Sequence, residues 1–188
     1  MANTAIEVRP IAGAIGAEIA GIDLSNDVDD ETIAAIRRAW LDHCVIFFRD
    51  QDWPPARFLS LAKRFGTVVE YPFIKGLEDF PEIIPVMKLE HEKTNFGGIW
   101  HSDTAYLKAP PMGTMLVARE VPPYGGDTMF ANMYLAYEAL SDGMTRLLDG
   151  LTGFNTSAKA DVSRTREDRV KDSVRADAKK EYIGEHPV

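Results

Sequence analysis

A single cysteine, Cys44, among 188 residues means that no internal disulfide can form, and a reducing compartment is the expected setting. Cys44 stands in the apolar run Cys44-Val45-Ile46-Phe47-Phe48, which predicts a buried structural thiol rather than a nucleophile. Basic residues are also in short supply. Lys and Arg number 21 against 29 Asp and Glu, a net charge of −8, so the chain lacks the clustered cations that hold nucleic acid by its phosphates. No apolar run approaches the roughly 20 residues needed to cross a bilayer. Met1 to Arg9 lacks the basic start and long apolar stretch of a secretory signal. The expectation is a cytoplasmic protein with no nucleic-acid and no membrane partner, its oligomeric state left open and a homo-oligomer allowed.

What is present is ordinary for a globular chain: 45% hydrophobic and 27% charged residues, enough for one domain over residues 1–188. Ile6 to Leu24, broken by Gly13, Gly16 and Gly21, predicts two short strands with turns. Asp29-Asp30-Glu31 supplies a helix N-terminus, followed by Ile33, Ile36, Trp40 and Leu41 as an apolar stripe. Cys44 to Phe48 reads as a buried strand. Pro54-Pro55 opens a second helix with Phe58, Leu61, Ala62 and Phe65 on one face and Gly66 as its stop. Ile83 to Leu89, Met112 to Arg119 and Thr128 to Ala131 read as further strands, and Asn132 and Ser141 as caps of two short helices ending near Gly150. Residues 159–181, dense in both charge signs, predict a solvated helix or a mobile loop. The pattern favours a mainly β core with helices outside, an α+β arrangement.

One segment carries chemistry: Asn95-Phe96-Gly97-Gly98-Ile99-Trp100-His101-Ser102-Asp103-Thr104-Ala105-Tyr106. If it runs extended, residues two apart project from the same side, so His101 and Asp103 point together. An imidazole and a carboxylate side by side make two corners of the 2-His-1-carboxylate triad, which grips Fe(II) from one face and leaves the other positions open. His-x-Asp alone is a weak pattern, and a partly buried hydrogen-bonded pair is the commoner outcome.

The surroundings add to it. Trp100-His101-Ser102-Asp103, Pro110-Pro111 and Gly125-Gly126-Asp127-Thr128 follow Phe47-Phe48-Arg49-Asp50-Gln51 and Ala62-Lys63-Arg64-Phe65-Gly66 in order. Together these blocks resemble the TauD/TfdA family of taurine dioxygenase-like enzymes, from about Ile6 to Val188. The resemblance implies a double-stranded β-helix, or jelly roll, with His101 and Asp103 as ligands of Fe(II). It implies Thr128 as a hydroxyl donor to the distal carboxylate of the co-substrate 2-oxoglutarate. The implied reaction consumes O2, releases succinate and CO2, and hydroxylates a small organic molecule, a sulfonate, sulfate ester or carboxylate.

The chain departs from that pattern in two ways. The family's second histidine ligand lies downstream, whereas the histidines here besides His101 are His43, His91 and His186. His43 matches a non-ligand position, His91 sits among charges, and His186-Pro187-Val188 matches a segment that precedes the distal histidine. The expectation is therefore a truncated chain, lacking the last strands, the distal histidine and the arginines, and inactive alone. In the substrate region Tyr71 and Ile74 stand where taurine-specific members place a histidine and a tyrosine. Gly97 stands at the position of their asparagine, with Asn95 two residues earlier. Taurine is disfavoured by these changes, and Tyr71, Phe73 and Asn95 are the candidate pocket residues, with plain packing the competing role. The alternatives are a catalytically silent jelly roll that binds a ligand or partner and, ranked last, a zinc hydrolase using His101 and Asp103.

Overall fold

The protein is described here by a computed structural model covering residues 6–88, 90, 97–159 and 180–188. Its contacts fall into two compact units: Met1–Gly66 with Leu116–Leu147, and Thr67–Met115 with Leu148–Val188.

The first unit begins with β1 (Glu7–Pro10) and β2 (Ala17–Ala20), paired antiparallel from Glu7↔Ala20 to Pro10↔Ala17. Gly16, at φ 96°, makes the return possible, and the Ile11 N–H closes it on the Gly16 carbonyl at 3.1 Å. Along β2, Ala17 and Ile19 are buried and alternate with half-buried neighbours, the period of a strand with one face inward.

Helix α1 (Asp30–His43) starts where the acidic cluster predicts: the Asp29 carboxylate accepts the Thr32 N–H at 2.8 Å. That bond holds the Asp29 carboxyl below its usual range. The buried face is Thr32, Ile33, Ile36 and Ala39, rather than the expected stripe running through Leu41, which is exposed. One turn of 3.6 residues after Ile36 lands between Ala39 and Trp40, so Leu41 rotates out to solvent. Trp40 is half-buried, and its indole N–H donates to the Cys44 carbonyl at 3.0 Å.

That bond accompanies a sharp helix stop, with Cys44 at φ 62° donating its N–H to the Trp40 carbonyl. Cys44 is thus a half-buried helix cap, and the expected buried strand Cys44–Phe48 shrinks to β3 (Ile46–Phe47), parallel to β2. Helix α2 (Pro55–Phe65) follows, with Pro54 as its cap. Leu61 is its buried residue, with Phe58, Ala62 and Phe65 half-buried and Gly66 at the stop, as predicted.

The core of this unit joins Leu24, Val28, Ile33, Ile36, Trp53 and Leu61. Side chains of the two early family-like blocks staple the 22–28 loop to it. Gln51 accepts the Leu24 N–H at 2.8 Å and donates to the Ile22 carbonyl at 3.2 Å, and Arg64 donates to the Val28 carbonyl at 2.7 Å. The unit closes with α3 (Met133–Glu138), capped by Asn132, and α4 (Asp142–Leu148), where Ser141 accepts the Met144 N–H at 3.3 Å.

In the second unit Phe73, Ile74 and Tyr106 form a smaller core with Tyr71, Ile84, Leu107 and Tyr182 against it. Beside it β4 (Thr152–Thr156) pairs antiparallel with β5 (Ile183–Pro187).

The strands expected over Met112 to Arg119 and Thr128 to Ala131 do not form, nor does any over Ile83 to Lys88; Leu89 lies outside the described residues. A strand exists only where a neighbouring chain takes up its N–H and C=O groups. Leu116 and Met129 are 72% and 71% exposed, and these segments have no neighbouring strand among the described residues. Most of the charged 159–181 segment also lies outside the described residues.

Candidate metal centre

His101 and Asp103 come together in the second unit. The His101 Nε2 lies 3.0 Å from the Asp103 Oδ1, with both side chains about half exposed. The predicted same-side projection is therefore present, although the chain turns at Asp103 rather than continuing as a strand. Thr104, at φ 52°, drives that turn, and the Leu107 N–H closes it on the Thr104 carbonyl at 2.9 Å.

Each member of the pair is held from its far side. The His101 Nδ1 lies 2.6 Å from the Ile99 carbonyl, which can only accept, so Nδ1 carries the proton. Nε2 faces the Asp103 carboxylate, which also only accepts, so a hydrogen bond across that contact needs a proton on Nε2, and an ion bound between the two would take that proton's place. The Thr114 hydroxyl donates to Asp103 Oδ2 at 2.7 Å, which leaves Oδ1 turned toward His101. Gly97, at φ 72°, approaches the ring: a Cβ there would stand 3.3 Å from His101 Cε1 and 3.9 Å from Nε2. The missing side chain keeps space beside Nε2 open.

These residues fit two ligand positions of a divalent ion. Two donors each about 2.1 Å from an ion and at right angles lie about 3.0 Å apart. A carbonyl behind the imidazole and a hydroxyl behind the carboxylate are the outer bonds that ligands of this kind carry. Among the described residues no group of three His, Cys, Asp or Glu side chains converges. His43 ends α1 and His186 is engaged elsewhere, its Nε2 lying 2.8 Å from the Ala105 carbonyl. His91 lies outside the described residues.

The other expected site residues are spread more widely. Phe73 is 2% exposed and sits among aromatic rings, with Tyr71 at 5.5 Å, Tyr106 at 5.7 Å and Tyr182 at 5.8 Å between centroids. Tyr71, half-buried, is the more accessible of the two pocket candidates. Burial, then the neighbouring Tyr71, pushes the Tyr106 phenol well above its ordinary range, so it stays protonated. Thr128 belongs to the first unit, exposed and outside any strand. Asn95 lies outside the described residues. Sequence reasoning missed Thr114, whose hydroxyl acts on Asp103 from 11 positions away, a spacing with no local signature.

Comparison with known proteins agrees with the motif. A family model described as "Taurine catabolism dioxygenase TauD, TfdA family" matches residues 7–188. The chain is 32% identical over 190 residues to an alpha-ketoglutarate-dependent sulfate ester dioxygenase of Pseudomonas putida, covering 97% of this chain and 61% of that protein. It is 31% identical over 195 residues to an alkylsulfatase of Acinetobacter baylyi, covering 97% and 58%. The chain thus spans about three fifths of the length of these curated relatives. Among solved structures, a Burkholderia xenovorans chain named for alpha-ketoglutarate-dependent taurine dioxygenase superposes with a TM-score of 0.72 at 30% identity, over 97% of this chain and 60% of the other. With motif blocks, backbone and family model in agreement, the chain belongs to the TauD/TfdA dioxygenase family.

Proposed function

We propose that this chain carries part of the active site of an Fe(II)- and 2-oxoglutarate-dependent dioxygenase, built on a double-stranded β-helix, that hydroxylates a small organic acid or ester. The His101-x-Asp103 motif within the family-like blocks carries the reading; the 3.0 Å between His101 Nε2 and Asp103 Oδ1 suits two adjacent ligands on one ion, as it also suits a hydrogen-bonded pair. Iron bound there with 2-oxoglutarate and O2 supplies the oxidising power, while the protein supplies orientation and protection.

The chain's own residues have separate tasks. Ile99 and Thr114 aim the two ligands, and Gly97 keeps space open beside the imidazole. Tyr71 is the more accessible substrate-side candidate, with Phe73 packed against it; Asn95, the third candidate, lies outside the described residues. Thr128 donates its hydroxyl to the distal carboxylate of 2-oxoglutarate, as the family resemblance implies. A sulfate ester is the favoured substrate class, because a sulfate ester dioxygenase and an alkylsulfatase are among the relatives matching 97% of the chain.

Anaerobic titration with Fe(II) and 2-oxoglutarate tests the reading. A weak visible charge-transfer band should appear, and His101→Ala and Asp103→Ala should abolish it. A band that survives both substitutions excludes these ligands, and no band in the wild type supports a catalytically silent binding module.

A further inference from the structure

β5 lies against the turn that follows Asp103, and its one histidine grips that turn. The His186 Nε2 is 2.8 Å from the Ala105 carbonyl, across 81 positions of sequence. A carbonyl can only accept, so Nε2 carries the proton and donates. The backbone contact is equally close: a Cβ on Gly184 would fall 2.5 Å from the same Ala105 oxygen and 2.9 Å from the Tyr106 carbonyl carbon. Only a residue without a side chain lets the strand come so near.

The brace is itself anchored. Within the β4–β5 pair His186 stands opposite Gly153. Just before β5, Tyr182 donates its N–H to Ser157 Oγ at 2.8 Å and accepts the Ser157 N–H at 3.0 Å. Its ring packs 6.3 Å from that of Tyr106. What the brace holds needs holding, because Thr104 is a β-branched residue at φ 52°, a conformation such residues avoid. Because Thr104 follows both residues in the chain, its relaxation would shift the His101–Asp103 segment as a unit and draw Asp103 off the Thr114 hydroxyl.

We propose that His186 is a positioning residue for the metal centre. Its imidazole N–H pins the Ala105 carbonyl and anchors the chain just after Asp103, so that the Asp103 carboxylate stays in reach of the Thr114 hydroxyl that aims it. The role rests on the metal-centre reading above, and it explains a histidine that the His101–Asp103 motif leaves without a task.

His186→Met, which keeps bulk and loses the donor, and His186→Gln, whose amide N–H can take the place of Nε2–H, separate this role from plain packing. In metal-free protein, hydrogen exchange at the Leu107 amide, which closes the turn, should quicken about tenfold in His186→Met and stay within about twofold of wild type in His186→Gln. Co(II) titration should show about tenfold weaker binding in His186→Met and near-wild-type binding in His186→Gln, as for other groups that orient ligands. Leu107 exchange unchanged in His186→Met overturns the brace, as does a His186→Gln variant no better than His186→Met. Wild-type exchange behaviour as expected, together with Co(II) binding that His101→Ala leaves intact, overturns the metal-centre reading instead.

Discussion

Thr114 and Tyr106 show how single side chains set the character of this site. Thr114 donates to the Asp103 oxygen that points away from His101, so its hydroxyl decides which oxygen is offered to an ion. Thr114→Val should weaken Co(II) binding by about 10- to 100-fold without unfolding the chain, as measured by titration alongside circular dichroism. Affinity unchanged in that variant would show Asp103 to be oriented by other means. Tyr106 makes part of the stability depend on alkaline pH. Its phenol is pushed upward by burial from an ordinary value of 10.0, so below that pH the neutral ring serves both folded and unfolded chains. As the pH rises above 10.0 the unfolded phenol ionises while the folded one resists, and stability drains away. Chemical denaturation across the alkaline range should show Tyr106→Phe losing less stability with pH than wild type. His101 and Asp103 were legible at this scale because a two-residue spacing suffices to bring them together. Phe73 was legible as an aromatic beside the site, but only packing shows it to be 2% exposed and therefore a wall rather than a contact surface.

At the scale of elements, the helices were the readable part. Asp29 and Asn132 announce their helices because a cap bond spans two or three residues, within reach of sequence inspection. Asn132 also donates to the Ala14 carbonyl at 2.7 Å, tying α3 to the turn between β1 and β2. Asn132→Ala should therefore cost about 1–2 kcal/mol by thermal or chemical unfolding, more than a cap on an isolated helix. Ile36, 1% exposed at the centre of the first core, should cost about 2–5 kcal/mol as Ile36→Ala, the range for a buried aliphatic truncation. A loss below 1 kcal/mol would mean that α1 is not packed on Leu24 and Trp53 as described. The strands were read less well. Met112 to Arg119 and Thr128 to Ala131 have strand-like composition but pair with no strand among the described residues, because pairing is a property of two segments and composition of only one.

At the scale of the whole molecule, apolar surface is the outstanding feature. Leu116, Val121, Met129, Met133, Tyr134 and Leu147, all in the first unit, are each more than 60% exposed. Exposed apolar side chains in this number invite association. Sedimentation at rising concentration should reveal species beyond the monomer, and an apolar dye should bind; a strictly monomeric chain that binds no dye would contradict this. Among the described residues no helix is long and apolar enough to cross a membrane. The sequence by itself determined the helices, their caps, the family and the two-residue spacing of the His101–Asp103 pair, since each depends on residues that are near neighbours in the chain or on motifs in register. Tertiary structure alone decided that Thr114 aims Asp103, that His186 reaches Ala105 across 81 positions, and that Phe73 is walled in, because such contacts join segments whose separation along the chain carries no trace of their meeting.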